Sequence, residues 1–73
     1  MLQTFTAVIA RWDTQTLLAD DVGATPGMVR QWRYRDNIPP EYWLRVAAAA
    51  KRRKFYGISL NSLAEIAARR LTF

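Results

Sequence analysis

Apolar residues recur every three or four positions along almost the whole chain. In the first segment they are Phe5, Val8, Ile9 and Trp12, which would lie on one face of a helix. Four further segments show the same spacing, and none shows the strict apolar–polar alternation that is typical of a half-buried strand. The pattern therefore predicts an all-α fold of five short helices.

Residues that favour helix ends separate these segments. Gly23 ends the second helix, Thr25 can cap the third, and Pro26 is well suited to its first position. Ile38 and Pro39 precede prolines and are expected to be extended, so that Pro40 opens the fourth helix. Comparable signals at the other boundaries are Thr4, Asp13, Thr14, Gly57 and Ser59. We expect a single compact domain over residues 1–73.

The composition excludes several kinds of chemistry. The 73 residues include no cysteine and no histidine. The chain therefore lacks the residues that form disulfides and thiolate zinc sites, and it lacks the commonest general base. It also has no glycine-rich phosphate loop and too few residues for a sizeable pocket. The sequence predicts a protein that is not an enzyme and that holds no metal and no cofactor.

The net charge of +5 is unevenly distributed. Residues 1–28 have a net charge of −2, whereas residues 29–73 have a net charge of +7. A basic half is typical of proteins that bind polyanions, with nucleic acid as the first partner and an anionic membrane as the second. A basic face kept only for solubility is the alternative.

No apolar run approaches the roughly 20 residues that cross a bilayer, and the start lacks a secretory leader, so we expect a cytoplasmic protein without a membrane partner.

Residues 15–34 fit the spacing of a helix-turn-helix unit. Such a unit needs a small residue where two helices approach, a glycine in the turn, and apolar residues that anchor both helices to a core. Counted from Gln15, the constrained positions are suitably occupied. They hold Leu18, Ala19, Val22, Gly23, Val29 and Trp32. We assign these residues to the core support of the motif.

Two stretches of this sequence carry a resemblance to a known family. The stretch "LLADDVGATPGMVRQW" resembles the helix-turn-helix of lambda-repressor-like and Cro-like phage regulators. The following "IPPEYWLRVAAAA" is similar to the Ile-Pro-x-Glu segment of YdaS-type and related small prophage proteins. The resemblance implies a five-helix, lambda-repressor-like fold and sequence-specific binding of an operator. Asp20, Asp21, Gly27 and the basic run at 51–54 depart from the family pattern.

The helix that follows the turn is expected to enter the major groove with the residues near its N-terminus on base edges. Gln31 can bind adenine and Arg30 can bind guanine through paired hydrogen bonds, while Met28 can pack on a thymine methyl group. The predicted base contacts are Thr25, Gly27, Met28, Arg30, Gln31 and Tyr34. No acidic residue lies between Val22 and Arg35, so nothing in this segment repels the DNA backbone.

Predicted phosphate contacts flank the same helix. Arg33 and Arg35 lie on it, and Gln15 and Thr16 begin the preceding helix, whose positive end suits a phosphate. The run "KRRK" adds Lys51, Arg52 and Arg53, although a solvated helix end explains this run equally well. A role for such a protein on the bacterial nucleoid follows from these assignments.

One short recognition helix reads few base pairs, so we expect a homodimer on DNA with half-sites about 34 Å apart or a multiple of that spacing. The last helix is the predicted interface. Its candidate residues are Leu63, Ile66, Leu71 and Phe73.

Other functions fit the same residues. One is a protein-interaction module on a helix-turn-helix scaffold, such as an antitoxin, an anti-repressor or a polymerase adaptor, and another is an excisionase-like architectural DNA binder. Trp12, Trp32 and Trp43 could stack on single-stranded bases, but their helical spacing favours a place in the core. Asp20 and Asp21 are about 100° apart on a helix, so we expect them to face solvent and not a metal ion.

Overall fold

The computed structural model describes residues 3–70, and its elements are five α-helices with no strand among those residues. The helices are α1 (Phe5–Ile9), α2 (Gln15–Val22), α3 (Pro26–Arg35), α4 (Trp43–Arg52) and α5 (Leu60–Arg70). One turn of 3-10 helix, Pro40–Tyr42, leads into α4. The predicted all-α fold of five helices is confirmed.

Side-chain caps fix where four of the helices begin. Thr4, Thr14, Thr25 and Ser59 each accept a hydrogen bond from the backbone N–H three residues further on, at 3.0–3.2 Å. Such a bond satisfies one of the N–H groups that a helix start leaves without a partner. Thr14, and not Asp13, is the residue that caps α2.

The helices enclose one apolar core. α2 packs against both α3 and α4, α1 packs against α3, and α5 packs against α4. Trp12 and Trp32 are buried, as their spacing predicts, and Trp43 is half-buried and donates its indole N–H to the Ile38 carbonyl at 2.7 Å. α1 ends before Trp12, but a tight turn in which the Trp12 N–H bonds the Ile9 carbonyl keeps this side chain on the core side.

The packing of α5 corrects the predicted dimer interface. Leu63 and Ile66 are fully buried inside the protomer, where they close the core. Their spacing identified the apolar side of α5 but could not show that this side meets the same chain. Leu71 and Phe73 lie outside the described residues.

Asp21 is the centre of a polar contact that joins three segments. Its carboxylate accepts the Trp12 indole N–H at 2.8 Å and forms a two-pronged ion pair with the Arg53 guanidinium. The hydrogen bond from Arg53 lowers the pKa of Asp21, with a smaller lowering from Trp12, while partial burial opposes both. The expectation that Asp21 faces solvent is therefore wrong, because Asp21 holds α2 to the end of α4 and to the turn after α1.

The turn between α2 and α3 depends on Gly23. This residue is left-handed, with φ 73° and ψ 29°, and both its N–H and that of Ala24 bond the Ala19 carbonyl. On the other side of the turn, the Arg45 guanidinium donates to the Val22 carbonyl at 3.1 Å. The turn thus ends α2 with the Ala19 and Val22 carbonyls satisfied and fixes the direction in which α3 leaves.

Replacing Asp21 tests this polar contact. In Asp21→Ala the buried Trp12 indole N–H loses its acceptor, so the free energy of unfolding should fall by about 1–3 kcal/mol in urea titrations. Asp21→Asn keeps an acceptor for Trp12 but not the charge, so its free energy of unfolding should fall by less than about 1 kcal/mol. The control is Asp20→Ala, at the exposed neighbouring position. Equal stability of Asp21→Ala and the wild type would contradict the assigned role.

The same pair predicts a pH dependence. Since the folded pKa of Asp21 lies below its ordinary value, the ionised carboxylate stabilises the fold at every pH above the unfolded pKa of about 3.9. That contribution is lost as the pH falls through the lower, folded pKa. The stability difference between the wild type and Asp21→Asn should be constant above about pH 5 and shrink below about pH 4. A difference that grows in acid would be inconsistent with the ion pair.

Substitution of Gly23 tests the turn. Gly23→Ala should lower the free energy of unfolding by about 1–2 kcal/mol, because an L-residue is strained at positive φ. The added Cβ would also lie 3.4 Å from the Arg45 guanidinium. Gly27→Ala is the matched control, since the nearest atom to its Cβ would be 3.9 Å away, and it should leave stability unchanged or raise it by up to about 1 kcal/mol. Identical unfolding curves for the two variants would refute this account of the turn.

Candidate nucleic-acid interface

α3 has two faces of opposite character. Val29 and Trp32 are buried against the core and hold the helix in place. On the other side, Gly27, Arg30, Gln31 and Tyr34 follow one another at helical spacing and are all exposed. We call these four residues the outer stripe of α3. Tyr34 is 88% exposed.

Both ends of α3 are fixed by hydrogen bonds to its flanking residues. At the N-terminus, the Thr25 hydroxyl accepts the Met28 N–H at 3.2 Å. At the C-terminus, Asp36 is left-handed, and one of its carboxylate oxygens accepts both the Thr6 N–H at 2.8 Å and the Thr6 hydroxyl at 2.9 Å. The acid that follows α3 is thus bound to the start of α1, and it does not pair with the arginines of the helix.

The cations of α3 are electrostatically available. Arg30, Arg33 and Arg35 are exposed, and the one ion pair within residues 3–70 is the Arg53–Asp21 pair. Three guanidinium groups without a carboxylate partner produce a positive potential along one helix, and guanidinium can bind either a phosphate or a guanine base through two hydrogen bonds. This arrangement can attract a polyanion and also hydrogen-bond to it specifically.

A small cleft joins α3 to the start of α2. Its volume is about 220 Å³, and Arg33 and Gln15 lie on its walls together with Asp13 and Thr14. The first turn of α2 presents N–H groups and the positive end of the helix dipole, and Thr16 is exposed beside it. The structure therefore brings the predicted phosphate contacts Gln15 and Arg33 to one place, although the Asp13 carboxylate opposes an anion there.

Two of the predicted DNA contacts are positioned differently from the expectation. Met28 is half-buried and packs against the core, because residues four apart are neighbours on a helix and Met28 therefore lies beside the buried Trp32. Arg53, predicted to contact phosphate, binds Asp21 instead. Lys51 and Arg52 are exposed at the end of α4, and Lys51 lies against an apolar groove that α4 forms with the chain around α5. They do not join the cleft that Arg33 lines.

Arg45 supports the interface without belonging to it. It binds the carbonyl that ends α2 and also lies over the Tyr42 ring, with 5.6 Å between the guanidinium carbon and the ring centroid. The sequence did not predict this role, because Arg45 is one of several cations in the basic half and no local pattern links it to the turn. Its contact with the turn depends on how α4 packs against α2.

The described part of the chain has neither a cluster of metal-binding side chains nor a membrane-spanning helix. Residues 3–70 contain no group of three or more acidic side chains that could hold a metal ion. None of the helices in that range is long and apolar enough to span a bilayer.

Comparisons of the chain with protein-family models, with curated proteins and with solved structures found no match. The assignment of a function therefore depends on the sequence and on the geometry of α3 and its surroundings.

Proposed function

We propose that this protein is a sequence-specific regulator of transcription that binds double-stranded DNA by inserting α3 into the major groove. The observation that carries the proposal is the outer stripe of α3, which is exposed, free of acids and preceded by the hydrogen-bonded turn at Gly23. The proposed role is binding without catalysis, on the nucleoid in the cytoplasm. The resemblance of two stretches of this sequence to phage and prophage regulators agrees with this role.

The residues of the stripe have the chemistry that base recognition needs. Arg30 can donate two hydrogen bonds to guanine, and Gln31 can both donate to and accept from adenine. Each such contact discriminates against a wrong base by about 1–3 kcal/mol. Arg33, Arg35 and the first turn of α2 would hold phosphates on either side, which sets the register of the helix without reading the sequence.

Selection from a random pool of duplexes, followed by affinity measurements on the enriched sequence, tests the proposal. Arg30→Ala and Gln31→Ala should each weaken binding to that sequence by about 1–3 kcal/mol while binding to unrelated duplexes changes much less. Arg69→Ala, at an exposed cation on α5, is the matched control for loss of charge. Circular dichroism should be unchanged in all three variants.

Three results of this experiment would count against the proposal. They are a pool without an enriched sequence, an affinity that does not fall with salt, and equal effects of Arg30→Ala and Arg69→Ala on the selected duplex.

Gly27 gives a separate test, because nothing nearby in the described chain requires a glycine there. A Cβ at this position would meet no atom closer than 3.9 Å, and Gly27 does not have a positive φ. If the first turn of α3 lies close to DNA, Gly27→Ala should weaken binding to the selected duplex by at least about tenfold while the fold stays at least as stable. Unchanged affinity would show that this turn does not approach the duplex closely.

A further inference from the structure

An apolar surface remains uncovered on the side formed by α4 and the start of α5. Leu44, Tyr56 and Leu60 are 69%, 79% and 47% exposed. They lie along one groove with a volume of about 380 Å³, whose other lining residues include Ala48 and Lys51. None of its lining residues belongs to α2 or α3, so the groove is separate from the candidate DNA-binding surface.

The outward side of α4 has an ordered chemical pattern. Leu44, Ala48 and Lys51 follow one another at spacings of four and three residues on α4. Glu41 precedes Leu44 by three residues in the 3-10 turn that leads into α4, where residues three apart are eclipsed, so it continues the same stripe. All four residues are exposed. We call this set the α4 stripe. It is acidic at one end and basic at the other, with a large and a small apolar residue between them.

This pattern is self-complementary when two copies of α4 lie antiparallel. Glu41 and Lys51 are equally far from Val46 along the chain, and so are Leu44 and Ala48. A two-fold axis at the level of Val46 would therefore place Glu41 against the second copy's Lys51, and Leu44 against the second copy's Ala48. The same contacts recur on the other side of the axis, as an isologous interface requires. Opposite charges meet, and a large side chain meets a small one.

The area of this face fits a reversible dimer. Leu44, Tyr56 and Leu60 together expose a surface on the order of 400 Å², about half of the ~800 Å² that each partner contributes to a standard interface. Ala48 and the stems of Glu41 and Lys51 would add to this surface, which gives an interface at the small end of the range, as a reversible dimer requires. Neither acid nor base of the stripe has an ion-pair partner within residues 3–70, so both are free to pair between copies.

We propose that a second copy of this chain covers the groove, with two α4 helices antiparallel and Glu41 of each protomer paired with Lys51 of the other. The inference does not rest on the binding of DNA by α3. It replaces the interface on Leu63 and Ile66, which are buried within the protomer.

Charge reversal combined with mixing tests this proposal in the full chain. In sedimentation experiments over a range of concentrations, Glu41→Lys and Lys51→Glu should each weaken self-association by at least about tenfold, because each places like charges together twice. An equimolar mixture of the two variants should restore the dimer, because every contact in the mixed dimer then joins opposite charges. The double variant should recover for the same reason.

The rescue cannot arise within one protomer, since residues 41 and 51 are about 15 Å apart along α4 and the 3-10 turn before it. Glu65→Lys changes the net charge equally at an exposed position on α5 and should leave association unaltered. Circular dichroism of each variant shows whether it folds. The proposal is overturned by a wild type that stays monomeric up to about 1 mM, which would leave the groove to a different protein. It is also overturned by a dimer insensitive to these changes, or by a mixture that does not recover.

Discussion

The left-handed turn at Gly23 is the constraint on which the arrangement of this protein depends. It lets the Ala19 carbonyl receive two backbone N–H groups, and it places the Val22 carbonyl within reach of the Arg45 guanidinium. α3 packs on α2 more extensively than on α1, so an error in this turn would displace α3 from its main support. A residue with a Cβ would have to adopt a strained conformation to make the same turn.

Once the turn is set, the exposure of the polar side of α3 follows from burial. Val29 and Trp32 hold the helix against the core, and residues on the opposite side must then face outward. The acidic residues Asp21 and Asp36 bind elsewhere and leave this side of α3 free. Asp21 forms an ion pair with Arg53, and Asp36 accepts hydrogen bonds from Thr6, so neither acid neutralises an arginine of α3. The basic character of residues 29–73 is thereby available to a partner.

Local signals predicted most of the fold and the position of α3. Threonine caps, the proline at the first helical position and the glycine in the turn act through the few residues around them, so the sequence alone identifies them. Contacts between distant residues could not be found in this way. The pairings of Asp21 with Arg53, Val22 with Arg45 and Thr6 with Asp36 depend on which helices pack together. The same limit explains α5, whose periodicity marks an apolar side without identifying what covers it.

The most direct measurement of the central claim is the set of backbone amide chemical shifts of the isotopically labelled protein during titration with the selected duplex. The account predicts that the largest changes fall on the outer stripe of α3 and on the first turn of α2, and that the amides near Leu44 and Leu60 change little. The account would be contradicted if saturating duplex left the amide chemical shifts of α3 unchanged, or if the largest shift changes lay along the groove of α4 and α5.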